Sequence, residues 1–247
     1  MLDNKTQDPF LVSGIPLGSA GSTRFVVPGV AAIDTGAANW RSDVRIFNSG
    51  AAPQTATLTF YPMGNPTAAL TQTVTINPGE VKALDDVVAT TFGMKNGGGA
   101  LHVTTSTVSP LVVTGRTYDL TTHGTLGQFI PAVTPAEAVS SSDRSLQLLQ
   151  LEESSRYRTN VGVTEVTGKP AVAEIVVTLP DSKVSPTLRI PLAAFESKQL
   201  PILSGLGIGN VYNARIAVHV VDGDGKVTAY GSVIDRKTED ATYVPAQ

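Results

Sequence analysis

Few residues of this chain are placed to do chemistry, and their spacing points first to structural work. Asp222-Gly223-Asp224-Gly225 has the opening carboxylates of a calcium loop, but such a loop needs further oxygen ligands and a late glutamate. Lys226 and Val227 follow at once, so the run reads as a tight hairpin. Gly205-Leu206-Gly207-Ile208-Gly209 has the glycine spacing of a dinucleotide loop, which must follow a strand and open a helix. Val211 to Val221 reads instead as a strand, which makes the glycines a connector. His102 and His219 lie 117 positions apart, in what prove to be matching phrases, and His123 sits in the loop-like Thr121-Thr122-His123-Gly124. None has the spacing of a zinc pair. A Ser-His-Asp triad does not need adjacent members, but there is no Gly-x-Ser-x-Gly elbow to hold its nucleophile. Asp85-Asp86 is better suited to capping a short helical turn through Val87, Val88 and Phe92, stopped by Gly93, than to holding a cation. Arg41, Arg45 and Arg116, with Asp43 and Asp119 nearby, suit cross-strand ion pairs. The expectation is a protein with no enzymatic activity, no metal and no cofactor.

The elements that carry these residues repeat. Trp40-Arg41-Ser42-Asp43-Val44-Arg45-Ile46-Phe47-Asn48 is echoed by Tyr157-Arg158-Thr159-Asn160-Val161-Gly162-Val163-Thr164-Glu165, and Glu80 to Leu84 by Glu196 to Leu200. Val113 to Asp119 returns as Ala229 to Asp235, and Phe129-Ile130-Pro131-Ala132 as Tyr243-Val244-Pro245-Ala246. The offsets all fall between 114 and 117 positions, as two copies of one domain require. We expect an extension over 1–23, a first domain over 24–133 that opens with the strand-like Arg24 to Pro28, and a second over 134–247. Thr134 to Asp143 should serve as connector, with room for one helical turn.

Within each copy the apolar period is two. Trp40, Val44 and Ile46 share one strand face, and Arg41, Asp43 and Arg45 the other. Thr55, Thr57 and Thr59 alternate with Ala56, Leu58 and Phe60, and Thr71, Thr73 and Thr75 with Val74 and Ile76. Such alternation belongs to sheets with one buried and one wet face. Turn residues such as Asn48-Ser49-Gly50, Asn77-Pro78-Gly79 and Lys95-Asn96-Gly97 separate the runs. About seven short strands per copy suggest a sandwich. No long 3.6-period segment lies between strands, which argues against parallel α/β architecture. The helical turn after Asp86 suits the first copy better than the glycine-rich second.

Composition narrows the function. The chain has 247 residues, 41% hydrophobic and 16% charged, with net charge −3; an average domain carries about 25% charged residues. Low charge without a basic patch argues against nucleic acid. No apolar run reaches the roughly 18 residues of a membrane helix. There are no cysteines, which removes disulfides, thiolate metal sites and cysteine nucleophiles. Met1 to Lys5 lacks the regions of a signal peptide. The expectation is an exported protein whose signal has been removed.

The phrases Trp40 to Asn48, Leu84-Asp85-Asp86-Val87-Val88, Gly115-Arg116-Thr117-Tyr118 and Gly127-Gln128-Phe129-Ile130-Pro131-Ala132 together resemble a tandem Ig-like β-sandwich module of secreted and cell-surface bacterial proteins. The resemblance covers the chain from about residue 24 onward. It implies an all-β fold of two tandem antiparallel sandwiches, an extracellular or cell-envelope setting, and a role in adhesion, spacing or assembly. It brings no catalytic residues, and the chain lacks the Cys–Trp–Cys core of antibody domains.

Two binding modes follow. Open strand edges, as in Ala56–Phe60 and Thr71–Ile76, can pair with another chain. Residues 1–23 can supply such a strand, anchored by Phe10, Leu11, Val12, Ile15 and Leu17, with a protein partner or a second copy as recipient. Alternatively Trp40, Tyr61, Tyr157 and Tyr212 can stack on the rings of a polysaccharide, although aromatics make up only 6% of the chain. A dispersed hydrolytic site is the third reading.

Overall fold

Alternation in sequence becomes alternation in burial. In the computed structural model, which describes residues 5, 6, 8, 9, 12, 14, 21–185 and 187–247, strand β3 (Gln54–Pro62) buries Ala56, Leu58 and Phe60 completely. Thr55, Thr57 and Thr59 stand on its other face. β2 (Asn39–Asn48) does the same with Ser42, Val44, Ile46 and Asn48 inward, leaving its arginines and Asp43 on the wet face.

The chain divides into two units, Met1–Thr134 and Pro135–Gln247. The first adds β1 (Ser22–Asp34), β4 (Leu70–Ile76), β5 (Val81–Leu84), helical turn α1 (Val87–Thr90), β6 (Gly97–Ser109), β7 (Leu111–Thr121) and β8 (Gly124–Pro131). The second contains β9 (Leu146–Glu153), β10 (Tyr157–Glu165), β11 (Ala171–Thr178), β12 (Leu188–Leu192), β13 (Ser197–Leu200), α2 (Ile202–Gly205), β14 (Val211–Gly223), β15 (Val227–Asp235) and β16 (Ala241–Pro245). Strands dominate and all named pairings are antiparallel, so the fold is an all-β sandwich architecture. Each unit has eight described strands, one more than expected, because the four-residue β5 and β13 are strands too.

In the first unit the order is β4-β3-β6-β1 on one side and β5-β2-β7-β8 on the other. They are joined where the end of β1 turns to meet the start of β2, pairing Ile33 with Trp40. The second unit has sheets β12-β11-β14-β9 and β13-β10-β15-β16, the same order. Registers match as well. Val44 lies between Leu84 and Gly115, and Val161 between Leu200 and Gly231. A Cβ on Gly115 would stand 2.7 Å from the Val27 side chain, and one on Gly231 2.8 Å from Leu151. In each unit the glycine makes room for an apolar side chain of the facing sheet. The second unit's core spans both sheets, from Leu148 and Leu151 through Val161, Ile175 and Leu203 to Ile216.

Immunoglobulin sandwiches pair their second and fifth strands in one sheet and their third and sixth in the other. β2 with β5 and β3 with β6 keep that relation. β7 then joins β2 instead of β6, and β1 takes the place beside β6.

Three local expectations change. Asp86 precedes α1 with φ 45° and makes no side-chain capping bond; its carboxylate goes to an arginine instead. The second unit has a helical turn of its own, α2, with Ile202 and Leu203 buried as Val87 and Val88 are in α1. The connector from Thr134 to Asp143 holds turns and an isolated bridge but no helix. A fourth expectation changes as well: Asp222–Gly225 links β14 to β15, but these strands lie in different sheets, so the run is a crossover between sheets and not a hairpin. Gly223 there has φ 86°, a conformation that favours glycine.

Candidate functional site

The charged residues of β2 meet partners on the wet face of the β5-β2-β7-β8 sheet. The Arg41 Nε lies 3.3 Å from Asp86 Oδ2, and Arg45 reaches Asp85 at 2.6 Å. Asp43 Oδ1 accepts from the Tyr118 hydroxyl at 3.1 Å and from the Asp86 amide at 3.0 Å. The Arg116 guanidinium lies 4.7 Å over the Tyr118 ring and donates to Thr125 Oγ1 at 2.6 Å. Asp119, expected nearby, turns to the other face and is buried, where Oδ1 accepts from the Asn39 amide at 2.5 Å. Alternation requires this, since 116 and 118 share a face that 119 cannot. The aspartates that pair with β2 are Asp85 and Asp86, from the loop after β5.

This face holds charge without activating it. Burial raises the Asp86 carboxyl above the usual range, Arg41 opposes the shift, and Asp43 adds to it. Burial, then the Asp43 carboxylate, pushes the Tyr118 phenol up to about 12, so it stays protonated at neutral pH. A Tyr118→Phe difference titration at 295 nm should show this group ionising near pH 12, and Asp43→Asn should bring it down toward 10. The phenol's contribution to stability is then complete below pH 10 and lost as pH rises to 12. Ionisation of Tyr118 near 10 in the folded chain would contradict the arrangement. The matching positions in the second unit, Arg158, Asn160, Gly162, Ser232 and Ile234, do not repeat the ladder.

The opposite sheet of the first unit carries a threonine array. Thr55 pairs with Thr75, Thr57 with Thr73 and Thr59 with Thr71. Both strands were expected to offer free backbone, but β3 is paired on both sides, to β4 and β6. The open edge belongs to β4 alone. Its seven residues, Leu70-Thr71-Gln72-Thr73-Val74-Thr75-Ile76, carry no charge and no proline, and pair with β3 in one unbroken register.

Every other described edge is guarded. β5 and β13 are short and carry Lys82 and Lys198. β8 is bound by the N-terminal segment: Gly127 N–H donates to Asp8 Oδ2 at 2.9 Å, and the Thr6 hydroxyl to the Thr125 carbonyl at 2.9 Å. β9 is irregular at Gln150, φ 60°, and Gln147 exchanges backbone bonds with Gln247. β1 is irregular between Val27 and Val30 and bonds to Val133. β16 ends at Pro245. In β12 the positions matching Thr71 and Thr73 are Arg189 and Pro191, opposite Glu174 and Val172, and Arg189 pairs with Glu174 at 3.1 Å. Charge, proline and irregularity are how sheets refuse a further strand.

The four aromatic candidates are not brought together. Trp40 and Tyr157 lie at the starts of β2 and β10, the latter with the Arg156 guanidinium 4.8 Å over its ring. Tyr61 stands edge-on to His102 at 4.8 Å, and Tyr212 is 61% exposed on β14. No ring contact joins any two of them among the described residues. Of the assembly candidates, Phe10, Leu11, Ile15 and Leu17 lie outside the described residues, and Val12 is exposed. His102 is buried, with Nδ1 3.2 Å from an Arg24 guanidinium nitrogen. Burial, and then Arg24, depress it to about 3. His219 takes the matching place, half-buried, and His123 is exposed in its loop. No cluster of three or more His, Cys, Asp or Glu suited to a metal occurs among the described residues.

The buried carboxylates of the second unit were not singled out from sequence. Glu165 is fully buried. Its Oε1 accepts from the Thr167 amide at 2.6 Å and from the Thr167 hydroxyl, and Oε2 from the amides of Gly168 and Phe195, both at 2.8 Å. Glu153 takes Arg236 at 2.5 Å and the Thr159 amide at 3.0 Å, beside a cleft of about 420 Å³ that Ser155, Ser204 and Asn210 also line. The readable signal for Glu165 was a glutamate closing a strand phrase just before the Thr167-Gly168 turn. Both carboxylates are held by donors of their own unit and serve the fold.

Fold and surfaces together define an all-β chain built of antiparallel sandwiches. No protein-family model matches it, and no curated protein sequence does. Among solved structures, Thermotoga maritima 1070 is similar at a TM-score of 0.37 and 13% identity, over 46% of this chain and 94% of that one. Bacteroides uniformis beta-glucuronidase 2, covalently bound to cyclophellitol-6-carboxylate aziridine, aligns at 0.18 and 13% identity, over 91% of this chain and 25% of that one. A Bacteroides uniformis beta-glucuronidase aligns at 0.16 and 14% identity over the same shares. This chain thus spans a quarter of the glucuronidases' length.

Proposed function

We propose that this protein is a non-catalytic module, two copies of one Ig-like sandwich, that serves adhesion or structural assembly through protein contacts in an extracellular or cell-envelope setting. The single observation that carries this reading is the unguarded β4 edge in a protein whose other described edges are guarded. An open, uncharged strand of seven residues offers a row of backbone donors and acceptors, and an added strand gains affinity from them. The setting follows from the resemblance to bacterial surface modules and is consistent with a chain of low charge.

The test is strand capture. A fluorescent peptide with the sequence Leu70–Ile76 should bind the full chain by anisotropy, and Thr73→Pro should weaken that binding at least about tenfold. Proline is tolerated at this position of the fold, because Pro191 occupies it in β12 opposite Val172 as Thr73 lies opposite Thr57. Equal binding by both chains, or a hydrolytic activity abolished by changing one polar residue, would remove the proposal.

A further inference from the structure

The β4 strand is close to a palindrome. Read in either direction, Leu70-Thr71-Gln72-Thr73-Val74-Thr75-Ile76 has apolar ends, threonine at the second, fourth and sixth places, and Gln or Val between. A two-fold axis pairs a strand with its own reverse, so a palindromic strand matches a two-fold partner as a palindromic operator matches a dimer. Resting on the assembly reading above, we infer that the occupant of this edge is the β4 strand of a second copy of the chain, antiparallel, with Thr73 on the axis.

The residue geometry favours this partner. With Thr73 facing Thr73 of the second copy, Thr71 faces Thr75, Gln72 faces Val74 and Leu70 faces Ile76. Thr opposite Thr is a favourable cross-strand pair, and no like charges meet, because the strand has none. A charge at the axial position 73 would face its own copy, so the absence of charge there matters more here than at an edge that receives a different chain.

The backbone is oriented to suit. Pro191 has no N–H, so the β11–β12 ladder does not need an amide at its position. The matching amide, that of Thr73, therefore points away from β3, and those of Thr71 and Thr75 follow by alternation. Opposed residues with outward groups form the pairs that exchange two N–H···O bonds each. The product is one continuous sheet, β1-β6-β3-β4 followed by the same order reversed, and the threonine array runs unbroken across the axis. The sidedness is also correct: Thr71, Thr73 and Thr75 are exposed on the outer face, while Ile76 is buried on the inner one.

The second unit shows what refusal of this partner looks like at the same two positions. Arg189 and Pro191 stand where Thr71 and Thr73 stand, and they supply the variants. Light scattering after size exclusion should show the full chain rising with concentration from 25.7 kDa toward twice that mass. Thr71→Arg and Thr73→Pro should each raise the dimer's dissociation constant at least about tenfold, with far-ultraviolet circular dichroism unchanged. A dimer unaffected by both variants overturns the inference. A chain that stays monomeric at millimolar concentration also overturns it. In that case, binding of the Leu70–Ile76 peptide leaves the assembly reading standing with a different partner, and failure to bind the peptide removes both.

Discussion

Replacing Glu165 with alanine should destabilise the second unit by several kcal/mol, on the order of 3, because it strips the acceptor from a set of buried donors. Three backbone amides, of Thr167, Gly168 and Phe195, and the Thr167 hydroxyl converge on this carboxylate. Each buried donor left without an acceptor costs about 1–3 kcal/mol, which entering water recovers in part. One of the two loops it joins is built in a conformation that needs an anchor: Phe195 has φ 61°, whereas Gly168 takes φ 84° without strain. A non-glycine residue at positive φ is held only by its surroundings. Glu165→Gln keeps the shape and one acceptor oxygen but turns an NH₂ group toward amide donors, so it should lie between wild type and alanine. Urea unfolding measures the loss. Hydrogen exchange at the amides of 167, 168 and 195 localises it, and those three should lose protection first. A loss under about 1 kcal/mol would show that the loops hold themselves.

The first unit should lose stability as pH falls from 6.5 to about 3, through His102. The unfolded histidine protonates near its ordinary value of 6.5, and the folded one only at about 3. Between these values the unfolded state binds a proton that the folded state refuses, so stability is complete above 6.5 and drains away as pH drops. The slope approaches about 1.4 kcal/mol per pH unit, on the order of 5 kcal/mol over the whole window. The causes are structural: the ring is 1% exposed, flanked by the Arg24 guanidinium at 3.2 Å and Tyr61 edge-on at 4.8 Å. Nδ1 accepts from Arg24, which leaves the proton on Nε2, and a second proton would set two cations side by side. Unfolding measured at pH 7, 6, 5 and 4 should show the slope, and His102→Gln should flatten it. A wild-type profile parallel to that of His102→Gln would show that His102 takes up its proton while folded.

Much of the fold is legible in the sequence because strand faces are a local property. A period of two sorts Ala56, Leu58 and Phe60 inward and Thr55, Thr57 and Thr59 outward whatever the strand pairs with. Gly and Asn at the turns mark where it must reverse. The repeated phrases were legible for the same reason: Val44 and Val161, Gly115 and Gly231, Pro131 and Pro245 keep their spacing, and the structure puts each pair in the same register. Only the tertiary structure decided who pairs with whom. β3 and β4 read alike, two threonine-alternating strands, yet one is interior and the other an edge, because long-range contact with β6 is not written in either. Asp86 looked like a helix cap until Arg41 of β2 came within reach, and Glu165 looked like the end of a strand until the loops around Thr167 and Phe195 closed on it. The four aromatics were grouped by type, and nothing in a period-two pattern places residues of different strands side by side. Strand character and turn positions are readable from the chain alone, because each is set within a few residues. The edge, the charged ladder and the buried carboxylates depend on which distant strands become neighbours, and that is decided by packing the whole core.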